Sequence, residues 1–297
     1  MRKIFALLLA ATFLYSCGGD DNNNNNNTAN NADSSQKERK TIKIDFAVLS
    51  AIPDPIETAS LIKALELRYD KAALNSLDNK SKYATDFKRA INLGVYSTDL
   101  GYANIYGQTQ DAIDYLLAVR EIAEGLNIDK YVDFAGLRSL TAGGEGLDKI
   151  LEVTLSSLNT INEELQKENR GEATAFIISG SWIESLYLSC YLAQKSKNKE
   201  LKLAIAEQKI ALKHLLNLLE NNKGASKHID ELYEDLSKLN GIYANISVEY
   251  QETEATEQIV DGQKQVVQAD TVDIRFSDAD FEALLKAITE IRSKIVA

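Results

Sequence analysis

Histidine, cysteine and proline are all scarce in this 297-residue chain, with two of each. The histidines, His214 and His228, lie fourteen positions apart with no His-Glu-x-x-His spacing, which argues against a zinc centre built on them, and they read as surface residues. Two cysteines, Cys17 and Cys190, allow one disulfide at most and cannot frame a disulfide scaffold. Pro53 and Pro55 share one short stretch, and nothing after them interrupts a helix in that way. Nucleotide and nucleophile motifs are missing as well. There is no Gly-x-Ser-x-Gly elbow, no phosphate loop and no dinucleotide fingerprint. The cluster Gly143-Gly144-Glu145-Gly146 lacks the lysine and hydroxyl residue of a phosphate loop and reads as a turn between helices. Basic charge is in deficit, with 33 Lys and Arg against 44 Asp and Glu and a net charge of −11, which argues against nucleic acid or anionic lipid as a partner bound by charge.

A long apolar run is also missing. The nearest is Ile4 to Leu14, shorter than the roughly 20 residues of a membrane-spanning helix. It follows Arg2 and Lys3 and leads into Leu14-Tyr15-Ser16-Cys17, which resembles the lipobox cut by lipoprotein signal peptidase. On this reading residues 1–16 are a signal peptide. The Cys17 thiol takes the diacylglycerol, and further acylation, palmitate included, makes a stable multi-chain anchor. Residues 17–40 then form a lipidated tether. Six asparagines, Asn22 to Asn27, and few apolar side chains leave it unable to offset the entropy of folding. Gly18 is not the aspartate that retains many lipoproteins in the inner membrane. The start Gly18-Gly19-Asp20-Asp21 resembles acidic export signals of surface lipoproteins in the Bacteroidota, which implies the outer membrane, with the cell surface favoured over the periplasmic face. With Cys17 lipidated, Cys190 has no partner and reads as an inert packed thiol.

Residues 41–297 form the folded domain, roughly 250 residues and enough for a sizeable core. Ile42, Ile44, Phe46 and Val48 alternate as a short strand or strap. Helical spacing then predicts segments over 57–77, 82–107, 108–126, 131–140, 147–169, 173–194, 200–219 and 226–246. The segment 173–194 is apolar all round and marks a helix in the middle of a bundle. Residues 247–276 change to alternation around Asp261-Gly262, a β-hairpin or a long loop. Ser277 with Asp280 resembles a capping box opening a last helix. The expected fold is all-α, a bundle of about eight helices with a small extended or hairpin appendage near the C-terminus. One faint echo links Gly94-Val95-Tyr96 and Leu100 with Gly180-Ser181-Trp182 and Leu186, too little to claim duplication.

Two constellations carry polar chemistry. Asp99, Tyr102, Tyr106, Gln110 and Ile113 follow helical spacing along one stripe. Glu184 lies in the most apolar helix and needs a cation or a proton if buried, with Arg120, Arg138 and Arg170 as candidate partners. Together Asp99, Tyr102, Tyr106, Gln110 and Glu184 outline a polar pocket, against the alternative of a polar network fixing helix register. These residues also carry a family likeness. Pro53-Asp54-Pro55-Ile56-Glu57, Ala90 to Tyr96 with Asp99-Leu100 and Tyr102, and Gly180 to Tyr187 resemble an uncharacterised family of Bacteroidota lipoproteins, over most of residues 50–295. The chain departs from it at Ser97 and Thr98, where its members carry small residues and alanine. The resemblance implies a helical envelope protein and no mechanism. No cofactor or metal is implied by any motif. The leading expectation is a non-enzymatic lipoprotein, held to the membrane by its lipid, that binds a protein or small-molecule partner. Alternatives are a carboxylate-dependent hydrolase of glycan or peptide using Asp99 and Glu184, if these face an open cleft, and a purely structural envelope component.

Overall fold

The computed structural model describes residues 42, 44, 55–143, 147–251, 256–260, 263–267 and 271–297. Residues 1–40, where the signal peptide, Cys17 and the tether are expected, and Phe46, Val48, Gly144 and Gly146 therefore lie outside the described residues. Nine α-helices are described: α1 (Pro55–Ala64), α2 (Asp86–Ile105), α3 (Thr109–Gly125), α4 (Phe134–Gly143), α5 (Leu147–Lys167), α6 (Gly171–Ser196), α7 (Lys199–Asn221), α8 (Lys227–Tyr243) and α9 (Asp278–Val296). The architecture is all-α, with a small antiparallel appendage between α8 and α9.

The helix apolar on all sides, α6, packs against α1, α2, α5, α7 and α9. Its most extensive neighbour is α2, and the two approach so closely that neither contact point has room for a side chain. A Cβ added at Gly94 would stand 2.0 Å from the carbonyl oxygen of Ile177, and one at Gly180 would stand 1.9 Å from that of Ile91. The weak sequence echo around these two glycines is therefore one crossing, made from both sides. The Ser181 hydroxyl donates to the Gly94 carbonyl at 3.2 Å beside it.

Helix ends follow their capping chemistry. Thr85, Asn198 and Ser277 accept from backbone N–H groups at the starts of α2, α7 and α9. At its far end α9 is capped by other elements. Lys88 Nζ donates to the Lys294 carbonyl at 2.8 Å, Asn92 to that of Ile295 at 2.7 Å, and Tyr83 to that of Val296 at 3.3 Å. A cation there also complements the negative end of the helix dipole.

The appendage is two nested antiparallel pairs, β1 (Ser247–Gln251) with β4 (Thr271–Arg275) and β2 (Thr256–Val260) with β3 (Gln263–Val267). The hairpin alternative for 247–276 holds, although Asp261 and Gly262 at its tip lie outside the described residues. At the other end Ile42 and Ile44 are buried. Gln166 donates to the Ile44 carbonyl at 3.0 Å, and Gly171 leaves space for that of Ile42.

Three helices differ from expectation, and one of them, α2, simply starts at Asp86 rather than near Lys82, after the Thr85 cap. The first helix stops at Ala64 rather than near Leu77, and Glu66 takes a left-handed φ of 57°. Asp70 and Ser76 then hydrogen-bond the backbone two residues on and start short 3-10 turns over Lys71–Ala73 and Leu77–Lys82. Short polar side chains that satisfy the backbone locally compete with helix continuation. The short helix expected over 131–140 runs instead from Phe134 to Gly143, because Asp133 accepts from Gly136 N–H and sets the start.

Candidate functional site

The expected polar stripe begins on α2 but does not continue through Gln110. At Gly107 the chain takes a φ of 64° and turns into α3, so Gln110 is exposed and donates to Asp114 at 2.8 Å. The remaining residues do converge. Asp99 and Glu184 are both fully buried, on α2 and α6. None of Arg120, Arg138 and Arg170 is the partner of Glu184. Arg120 pairs with Glu124 on its own helix, and Arg170 bonds Glu168 and the Leu126 carbonyl. The partner is Arg292 of α9, whose guanidinium forms two bonds to the Glu184 carboxylate, at 2.6 and 2.7 Å. It also donates to the Ala73 carbonyl at 3.3 Å and lies over the Tyr187 ring, 4.1 Å from its centroid. This bidentate fork is the arrangement in which a buried ion pair is best satisfied.

Asp99 is the third member. Its Oδ2 accepts from Asn75 N–H at 3.0 Å, while Oδ1 has no donor among the described residues. Burial first, then the neighbouring Glu184 charge, pushes its carboxyl well above the usual range. Two buried carboxyls beside one guanidinium favour the protonated form of Asp99. The trio then holds one cation, one anion and one neutral acid.

The tyrosines face the non-helical stretch after α1 rather than a ligand. Tyr106 donates to the Leu67 carbonyl at 2.5 Å, and Tyr102 accepts from Asp70 N–H at 3.1 Å. Tyr115 and Tyr96 donate to the carbonyls of Asn75 and Ser76, each at 2.7 Å. Burial raises the Tyr102 hydroxyl to about 12, so it remains a neutral phenol. Tyr69, from the stretch itself, stacks on Tyr102 at 5.2 Å and donates to Asp111 at 2.8 Å. A buried irregular segment must find partners for its backbone, and here tyrosine hydroxyls supply several of them. The polar cluster is a lock that fixes α2, α6, α9 and this stretch. Its carboxyls do not face an open cleft, which removes the geometric condition of the hydrolytic alternative.

An actual pocket lies on the other side of α2. It has a volume of about 130 Å³ and is bounded by α2, α3, α4, α5 and α6. Leu93, Val119, Ala123, Leu137, Ile150, Ile161 and Ile177 form its buried apolar floor. Ser97, Asn104, Thr154 and Ser157 stand at its half-exposed rim. The Thr154 hydroxyl is spent on the Ile150 carbonyl at 2.8 Å. No hydrogen bond is made by the side chains of Ser97, Asn104 or Ser157 among the described residues. None of the described residues lining the pocket is charged. Ser97 and Asp99 are two positions apart, which on a helix sends them to nearly opposite sides.

Sequence reasoning missed Arg292, Asn75 and the whole pocket. Arg292 had a signal, because it falls four residues after Ile288 on the apolar stripe of α9, where a charge needs a buried partner. The pocket had a weaker one in Ser97, Gly101 and Asn104, small or polar at helical spacing on a buried helix. Cys190 is a free, buried thiol, pushed up by burial. Both histidines are partly exposed at the surface, and His228 stacks on Phe87 with ring centroids 4.1 Å apart. Among the described residues there is no group of three metal-ligating side chains and no helix long and apolar enough to cross a membrane. No family model, curated protein or solved structure matches the chain, so the site is read from its own geometry.

Proposed function

We propose that this chain is an outer-membrane lipoprotein, anchored through lipid on Cys17 and akin to the Bacteroidota lipoproteins it resembles, whose helical body holds a small ligand without chemically changing it. Support for the anchor is Leu14-Tyr15-Ser16-Cys17 after a charged and apolar leader, with a polar spacer behind it. Support for ligand binding is one observation above the others, the apolar pocket between α2 and α5 with unspent polar groups at its rim. Pockets that are mostly apolar with a few placed polar groups are the usual form of small-molecule sites. The titratable groups most displaced by burial are absent from its walls, which favours holding over catalysis.

Each half has its own test. Cys17→Ser should leave the leader uncleaved and shift the protein out of the lipid-anchored fraction of fractionated cells. Normal processing and unchanged anchoring would reject the lipoprotein reading. For the pocket, xenon under pressure should shift the methyl resonances of Leu93, Leu137 and Ile177 in the chain from residue 18 onward. A dry apolar cavity of similar size takes xenon or one aromatic ring. Unchanged methyl resonances would show that the pocket does not admit a guest.

A further inference from the structure

The chemistry of the pocket narrows its guest, provided that it is a ligand site as proposed above. The floor is aliphatic, and the described lining residues contain neither an acid nor a base. Burying a charge there without a counter-charge is strongly unfavourable, so the occupant is neutral. The volume of about 130 Å³ fits about one ring or a short chain of similar bulk. The rim adds a second requirement. Asn104 brings both a donor and an acceptor, Ser97 and Ser157 each bring a hydroxyl, and all three lack partners among the described residues. They lie at the half-exposed mouth, with the deeper wall formed by Leu93, Val119 and Ile177.

We propose that the pocket takes an uncharged molecule of about one ring, or a chain of that size, with its apolar body on the floor and a hydroxyl, carbonyl or amide group at Asn104 on the half-exposed rim. The opposite face of α2 does not take this role, since its polar groups are largely sealed from solvent and most are committed to Arg292, Asn75 and the backbone after α1.

The test uses four probes of one size on the chain from residue 18 onward: benzyl alcohol, toluene, benzoate and benzylammonium. Affinity is read from saturable shifts of the Leu93, Val119, Leu137 and Ile177 methyl resonances. Benzyl alcohol should bind tightest, and both ions should bind at least about tenfold more weakly. Asn104→Ala should weaken benzyl alcohol about fivefold and leave toluene unchanged. Asn104 is half-exposed without a partner, so the variant should fold normally, which the unperturbed methyl spectrum of the free protein checks. If toluene binds as well as benzyl alcohol and Asn104→Ala changes neither, the polar-end assignment is overturned while the pocket remains a ligand site. If benzoate or benzylammonium binds as tightly as the alcohol, the neutrality inference is overturned. If no probe shifts the floor methyls and xenon also fails, the proposal falls together with the pocket itself.

Discussion

On one side of α2, Asp99 has no contact with solvent and lies beside Glu184, whose carboxylate is met by Arg292. On the other side, Ser97 and Asn104 stand at the mouth of an apolar pocket, and their side chains have no hydrogen-bond partner among the described residues. The first face spends all but a few of its polar atoms on holding elements together, whereas the second leaves them available. Buried ionisable residues drew attention in the sequence because they are rare and costly. Here that cost goes into joining α2, α6 and α9, and the opportunity for binding lies where the helix is bland. A perturbed carboxyl marks structure as readily as it marks a site.

The comparison can be broken at several points. The largest effect belongs to Glu184→Gln, which leaves the Arg292 guanidinium buried without its anion. The expected loss is about 3 kcal/mol, seen as a fall of roughly 6–12 °C in melting temperature. A loss below about 1 kcal/mol by urea unfolding would mean that the ion pair does not hold the helices. Next comes Tyr115→Phe, which removes the hydroxyl serving the Asn75 carbonyl and should cost about 1–2 kcal/mol in the same assay.

Asp99→Asn gives a smaller effect with a characteristic pH dependence. The Asp99 carboxyl titrates well above its unfolded value because of burial and the Glu184 charge. The folded chain thus keeps a proton that the unfolded chain releases above about pH 4. Stability from this group is complete below that pH and is lost as pH rises through the folded value. The substituted amide keeps the shape of the carboxyl and cannot ionise. Unfolding curves from pH 4 to 8 should show the variant gaining on the parent as pH rises. A constant difference at every pH would mean that Asp99 is not protonated in the fold. The smallest effect is that of Asn104→Ala on stability, within about 0.5 kcal/mol, since no bond within the protein is lost.

Legibility in the sequence followed the same divide. Helix α9 stood out because its periodicity and its cap are local, and α6 because an unbroken apolar stretch is visible without any partner. Ser277 with Asp280 is the cap of α9, and the capping bond is present at 3.1 Å. The early end of α1 was harder to see, because Asp70 and Ser76 act by competing with a helix whose apolar spacing continues past them. The polar cluster was half visible. Asp99, Tyr102 and Glu184 were marked by composition, but Arg292 lies 108 positions beyond Glu184 and only the tertiary fold joins them. Gln110 was misplaced because a single glycine, Gly107, reorients the chain between two helices. The pocket was nearly silent, since it is a space between five helices and its walls look like ordinary core.

The most direct measurement compares Glu184→Gln with Asn104→Ala in one pair of assays, melting temperature and affinity for benzyl alcohol well below the melt. The account predicts a double separation: Glu184→Gln melts early and binds as the parent does, while Asn104→Ala melts as the parent does and binds more weakly. If Glu184→Gln instead lost the probe while keeping its melting temperature, the division of α2 into a locked face and a binding face would be contradicted.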